Sequence, residues 1–225
     1  MKTIVISLGG SLIVPDEIDS QFIREFKKTI ESSVKKKYRF VIICGGGSTA
    51  RKYQEAARTI ANVNSEGQDW IGIYATAINA LLVLNVFGDQ AEDAILTDPS
   101  TPLKTKKNII ISCGWKPGWS TDYDAVLLAK NVKADLVINM SNIDYVYDSD
   151  PRKNKNAKKI SRMSWNELQK MIGTRWKAGM NAPFDPIAAK EARKLGLKIH
   201  IIGKDLQNLR NLIEGRPFKG TMILN

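Results

Sequence analysis

The chain has 225 residues, 43% of them hydrophobic and 25% charged, ordinary globular values that exclude wholesale disorder and a fibrous repeat and allow one large domain or two joined lobes. Its 34 Lys and Arg exceed its 23 Asp and Glu by 11, a balance that favours anionic partners. A single His argues against histidine-based catalysis or a His-rich metal site, and the two cysteines, Cys44 and Cys113, each in or beside an apolar run, fit a reduced, cytoplasmic chain.

No apolar run is expected to reach the ~18 residues of a membrane span. The segment at residues 1–14 is broken by Gly and Ser and lacks a small-residue cleavage site, so it does not read as a signal peptide. The basic clusters Lys35–Lys37, Lys104–Lys107 and Arg152–Lys159 hold few interleaved aromatics. They read as solvated faces, and nucleic acid as a partner is not expected.

Short β-branched runs alternate with helix-length segments along the chain. Strands are predicted at Thr3–Leu8, Phe40–Cys44, Asn108–Cys113, Leu136–Met140, Lys198–Ile202 and Thr221–Leu224. Helices are predicted at Ser20–Lys36, where Phe22, Ile23, Phe26, Ile30 and Val34 form one stripe, and at Ser48–Ala61, Gly72–Phe87 and Ala125–Asn131. Three more follow at Ser164–Gly173, with Ser164 and Glu167 at capping-box spacing, Pro186–Leu195 and Leu206–Glu214. Continuous apolar strands separated by helices predict an α/β fold, a mostly parallel sheet covered on both faces. The polar loop at residues 141–159 is the best lobe boundary, dividing about 1–140 from about 141–225.

In such sheets ligands bind beyond the carboxyl ends of the strands. Four of the predicted ends carry Gly-rich or polar loops: Gly9-Gly10-Ser11, Gly45-Gly46-Gly47-Ser48, the run from Gly114 through Trp115, Lys116, Pro117, Gly118, Trp119 and Ser120 to Thr121, and Ser141-Asn142. Neither Gly cluster is a P-loop or a dinucleotide fingerprint. Bare amides without a Cβ can nonetheless wrap phosphate oxygens, and two such turns suggest two neighbouring phosphate sites and phosphoryl transfer between bound anions.

Other side chains fit that scheme. Arg51, one turn into its helix, could reach a phosphate. Asp69 could accept ribose hydroxyls or simply cap its helix. Asp185 could cap the next helix or orient a catalytic Lys. Tyr147 and Asp150 could frame a base and ribose, or belong to a plain polar loop. Trp115 and Trp119, flanking Pro117-Gly118, could stack on a base or pack. Asp122 and Asp124 could hold Mg2+ or only stabilise a helix start.

Taken in order, Leu8-Gly9-Gly10-Ser11-Leu12, Gly45-Gly46-Gly47-Ser48-Thr49-Ala50-Arg51-Lys52-Tyr53, Asp69-x-Ile71-Gly72-Ile73, Pro117-Gly118-x-Ser120-Thr121-Asp122, Asn142-x-Asp144-x-Val146-Tyr147-x-x-Asp150-Pro151, Lys177-Ala178-Gly179 and Asp185-Pro186-x-Ala188-Ala189-Lys190 resemble the amino acid kinase family nearly end to end, and within it the archaeal-type uridylate kinase group. The resemblance implies a three-layer αβα sandwich, acceptor on the N-terminal side and ATP on the C-terminal side, with Mg2+ accompanying ATP and a homo-oligomer, commonly a hexamer.

Carried over, Gly10 and Ser11 would meet the ATP phosphates, Gly46 the UMP phosphate and Gly47 the transferring group. Arg51 would steady the phosphates, and Asp69 would hold the UMP ribose. Trp115, Lys116, Pro117, Gly118, Trp119, Ser120 and Thr121 would line the UMP site, and Ser141, Asn142, Tyr147 and Asp150 would hold the adenosine. Asp185 would organise the reacting centre.

Several positions depart from the family pattern. Ser7 stands where many members have a Lys, which leaves Lys177 to neutralise the moving phosphoryl group. Ala77 replaces an Arg and Tyr145 a Gly, and Trp115 and Trp119 replace smaller or imidazole side chains. The expected reaction is ATP plus UMP giving ADP plus UDP. The alternatives are another acceptor within the family, or an ATP-binding protein that stores oxyanions or regulates.

Overall fold

The computed structural model describes residues 1–151, 153–175 and 182–225. A seven-stranded sheet runs through its centre. Strand β1 (Lys2–Leu8) lies between β2 (Tyr38–Cys44) and β4 (Leu136–Met140); β3 (Ile109–Ser112) flanks β2 on one side, and β8 (Ile199–Ile202), β9 (Thr221–Leu224) and β7 (Arg162–Ser164) continue beyond β4. From β3 to β8 every pair is parallel. Only β9 runs antiparallel to β8, so the sheet is mostly parallel, as the alternation of elements predicts. A separate two-stranded ribbon pairs β5 (Val146–Tyr147) with β6 (Lys159–Ile160).

The strands are apolar on both faces, and each face buries its own core. Ile4, Ile6, Leu8, Phe40 and Ile42 face α2 (Ser20–Lys35), α4 (Ser65–Phe87) and α8 (Leu206–Ile213). Val5, Val41, Ile43 and Val137 face α5 (Thr121–Asn131), α6 (Trp165–Ile172) and α7 (Pro186–Lys194). This period-two division makes three layers. Helix α3 (Gly47–Ile60) lies on the outside of α4 and is held there by Gln54 Nε2, which donates to Gln68 O at 2.9 Å. A one-turn helix α1 (Gly10–Ile13) follows β1 directly.

Two expectations need correction. Helix α4 begins at Ser65, seven residues before the expected start, because Asn64 caps it by accepting from Gly67 N–H at 2.8 Å. In addition, Ser65–Gln90 is long and apolar enough to cross a membrane by length and composition, contrary to the reading of the sequence. In the fold it is a covering helix: Ala75, Ala80, Val83 and Phe87 are buried against the sheet core. The capping box at Ser164 and Glu167 forms as expected.

Candidate active site

Strands β3, β2, β1, β4 and β8 are parallel neighbours, so their carboxyl ends open on one edge of the sheet. The chain runs from β1 to β2 and β3 on one side and returns to β4 on the other, which places a topological switch point at β1. A cleft of ≈ 940 Å3 lies beyond these ends, large enough for two nucleotide-sized guests.

The floor of this cleft is the pair of glycine turns. A Cβ added to Gly10 would run into the Gly47 amide nitrogen and the Gly45 carbonyl carbon, and one added to Gly47, which has φ +62°, would run into the Gly10 carbonyl. The two turns therefore touch backbone to backbone, an approach that only residues without side chains permit. Helix α4 buttresses the second turn, since Asn79 Nδ2 donates to Gly45 O at 2.8 Å and Gly46 O at 3.1 Å.

Three carboxylates stand near the floor and differ in environment. Asp185 Oδ1 caps α7, accepting from Ile187 N–H at 2.5 Å and Ala188 N–H at 3.0 Å, while Oδ2 accepts from Ser120 Oγ. Asp122 Oδ1 accepts from Ser7 Oγ at 3.1 Å and Asn139 Nδ2 at 2.7 Å, and its Oδ2 accepts from the Asp185 amide at 3.2 Å. Burial, and secondarily the Asp185 charge, raise the Asp122 carboxyl to about 6. Ser7 thus ties β1 to this carboxylate.

Asp124 does not line the cleft. It is fully buried, accepts only the Trp115 amide at 3.2 Å on Oδ2 among the described residues, which leave Oδ1 without a partner, and is pushed up by burial to about 7. Its placement removes it as a metal candidate.

The loop from Gly114 to Thr121 is fastened to α4 at its start and at its middle. The Gly114 amide donates to Thr76 Oγ1 at 2.8 Å and the Gly118 amide to Asp69 Oδ2 at 2.7 Å. Asp69 therefore does not cap its helix; it lies one turn inside α4 and grips this loop. The Trp119 and Tyr123 rings pack tilted by 50° with centroids 4.0 Å apart, and Lys116 Nζ sits 3.8 Å over the Trp115 ring.

Of the expected site residues, Ser11, Gly46, Gly47, Arg51, Asp69, Trp119, Ser120, Thr121, Asn142 and Asp185 meet in the cleft wall, with Gly10 in backbone contact beneath them. Trp115, Lys116, Pro117 and Gly118 belong to the loop but do not line the cleft, and neither do Ser141, Tyr147 (in β5) or Asp150. Arg51 is exposed and donates through Nη2 to Pro15 O at 3.3 Å. Lys177 lies outside the described residues.

The reading of the sequence missed Thr76, Asp144 and Lys204, which also line the cleft. Lys204 follows Gly203 at the end of β8, and the strand-end rule applied to that fifth strand would have found it.

Paired glycine turns at a switch point, a capped carboxylate and a cleft wide enough for two anions define a phosphoryl-transfer site on an αβα fold. The family model described as the amino acid kinase family matches residues 2–203, and the chain belongs to that family. The chain is 37% identical over 224 residues to uridylate kinases of Thermococcus sibiricus and Pyrococcus abyssi, with 98% of each chain covered. Among solved structures, uridylate kinase from Archaeoglobus fulgidus superposes with a TM-score of 0.84 at 35% identity, covering 99% of this chain and 100% of that one.

Proposed function

We propose that the chain is an ATP-dependent kinase that transfers the γ-phosphoryl group to uridine monophosphate, giving UDP and ADP. The observation that carries this reading is the backbone contact between the Gly10 and Gly45–Gly47 turns, which sets two anion-binding turns head to head on one cleft floor. Full-length similarity to uridylate kinases supports the choice of acceptor.

The residue roles belong to this proposal. Ser11 and the Gly10 turn hold the ATP phosphates, Gly46 the acceptor phosphate, Gly47 the moving group, and Arg51 and Lys177 supply positive charge. Asp69 takes the ribose. The loop Trp115–Thr121 closes on the uracil, and Ser141, Asn142, Tyr147 and Asp150 take the adenosine. On this division residues 1–140 serve the acceptor, apart from the Gly10–Ser11 turn that also meets the ATP phosphates, and 141–225 serve ATP. The cytoplasmic location is part of the same reading and accords with two buried free thiols.

The chemistry asks little of the protein beyond positioning and charge. An oxygen of the UMP phosphate, already ionised at neutral pH, forms the new bond to the γ-phosphorus. The bond from that phosphorus to the β–γ bridging oxygen breaks, and its electron pair stays on ADP. No general base is required.

Mg2+ keeps most of its waters and is usually held by one or two carboxylates plus substrate phosphates. Asp122 and Asp185 fit this pattern: both line the cleft, each is already hydrogen-bonded, and no cluster of three or more ligating side chains occurs among the described residues. They would hold the cation as it arrives on ATP, and its charge would offset that of the phosphates.

We further propose self-association through α4. Trp70, Tyr74, Ile78 and Leu81 form one stripe at helical spacing, 40%, 70%, 56% and 46% exposed, and a contiguous exposed apolar face is the kind of surface that meets a partner. The catalytic reading is tested by incubating purified protein with UMP and saturating Mg-ATP. UDP formation is expected, and its absence removes the reading.

A further inference from the structure

The proposed donor side of the cleft has a cation that neither the family motifs nor the roles above use. Strands β1, β4 and β8 are adjacent, and their ladder continues one step past the strand ends: the Gly9 amide donates to Met140 O at 2.7 Å and the Ser141 amide to Ile202 O at 3.0 Å. Ser11, Asn142 and Lys204 therefore stand in a row on one wall. Arg51 stands on the other, beyond β2. Three strand spacings, roughly 14 Å, separate the ends of β2 and β8.

Two details mark Lys204 as placed for the cleft and not for the fold. First, a Cβ on Gly203 would collide with the Asp144 carboxylate. The bare residue lets the 141–144 turn fold down against the end of β8, and Asp144 and Lys204 both line the cleft there. Second, Lys204 directly precedes Asp205, the cap of α8, which accepts from Gln207 and Asn208 amides at 2.9 and 3.2 Å. A cation just before a helix N-terminus is opposed by the helix dipole, which favours negative charge there. Lys204 is also exposed, and it makes no ion pair or hydrogen bond among the described residues. With Asp144 beside it in the cleft wall but not in ion-pair contact among the described residues, Lys204 is left open to a polyanion in the cleft.

We propose that Lys204 binds the donor nucleotide's β-phosphate and counters the charge that gathers there when the bridging oxygen keeps the bonding electron pair. The proposal rests on the kinase reading, with Lys204 on the leaving side and Arg51 on the acceptor side of the transferring group.

The test compares wild type with Lys204→Met and Lys204→Gln, using calorimetric titration of ADP and of AMP together with steady-state kinetics. Both variants are expected to weaken ADP at least tenfold and raise KM for ATP similarly, while AMP affinity and KM for UMP stay within twofold. Melting temperatures should match wild type, since the side chain is exposed. Wild-type ADP affinity in both variants overturns the proposal, and so does equal weakening of ADP and AMP, which would mark a contact to the nucleoside or α-phosphate. The ADP titration needs no turnover, so it still reports on Lys204 if wild type makes no UDP, an outcome that would sink only the kinase reading.

Discussion

Arg51 and Asp124 show how differently two charged side chains near one site behave. Arg51 is exposed and weakly tethered, so its value lies in what it meets in the cleft. Arg51→Ala is expected to lower kcat/KM at least tenfold, ~1.4 kcal/mol of transition-state stabilisation, with the melting temperature unchanged; wild-type kinetics would remove its role. Asp124 is sealed behind the Gly114–Thr121 loop, with one oxygen unpartnered among the described residues. Its carboxyl titrates at about 7 in the folded chain against 3.8 ordinarily, so the folded form holds an extra proton between those values. Stability accordingly falls as pH rises from about 4 to about 7 and stays low above. Asp124→Asn keeps an acceptor for the Trp115 amide and removes the ionisation, so it is expected to stabilise the chain at pH 8 by on the order of 2–4 kcal/mol. The gain should shrink at pH 5, as thermal melts at the two pH values would show. The thiols follow the same rule: burial pushes Cys113 up to about 11 and Cys44 higher still, so neither should react with alkylating reagents at pH 8 while the chain is folded.

Helix α4 does more than cover the sheet. Its inner face holds the Gly45–Gly47 turn through Asn79, and its N-terminal half holds the Gly114–Thr121 loop through Asp69 and Thr76. Asn79→Ala leaves two carbonyls short of a buried donor and is expected to cost ~2–3 kcal/mol in urea melts, with a larger loss of activity than of fold. Thr76→Val keeps the shape but removes the acceptor for Gly114; a several-fold rise in KM for UMP with KM for ATP unchanged is expected. Periodicity and strand-end glycines made every long strand and helix legible in the sequence, and they pointed to the edge of the sheet where the cleft opens. The start of α4 was hidden because Gly67 and Gly72 look like breakers. Gly72 instead makes room for α3: a Cβ there would stand 3.0 Å from Gln54 Nε2. Asp124 resembled a ligand beside Asp122 because chain proximity does not reveal which helical face is buried. Strands β5, β6 and β7 are two or three residues long and carry no period to read.

At the scale of the molecule, the outer face of α4 offers the same helix to a second copy. Tyr74→Glu and Ile78→Glu place charge in the middle of the exposed stripe, and size-exclusion chromatography with light scattering should show wild type larger than a monomer and both variants shifted to it. A wild-type monomer at micromolar concentration would refute the self-association proposal.

Because the main chains of Gly10, Gly45 and Gly47 already abut, the root of the cleft is a fixed pivot. Spreading the cleft at that point would break the main-chain contact, and squeezing it would press backbone atoms together. Room for guests is therefore made further out, toward the rim where Trp119 and Lys204 line the cleft.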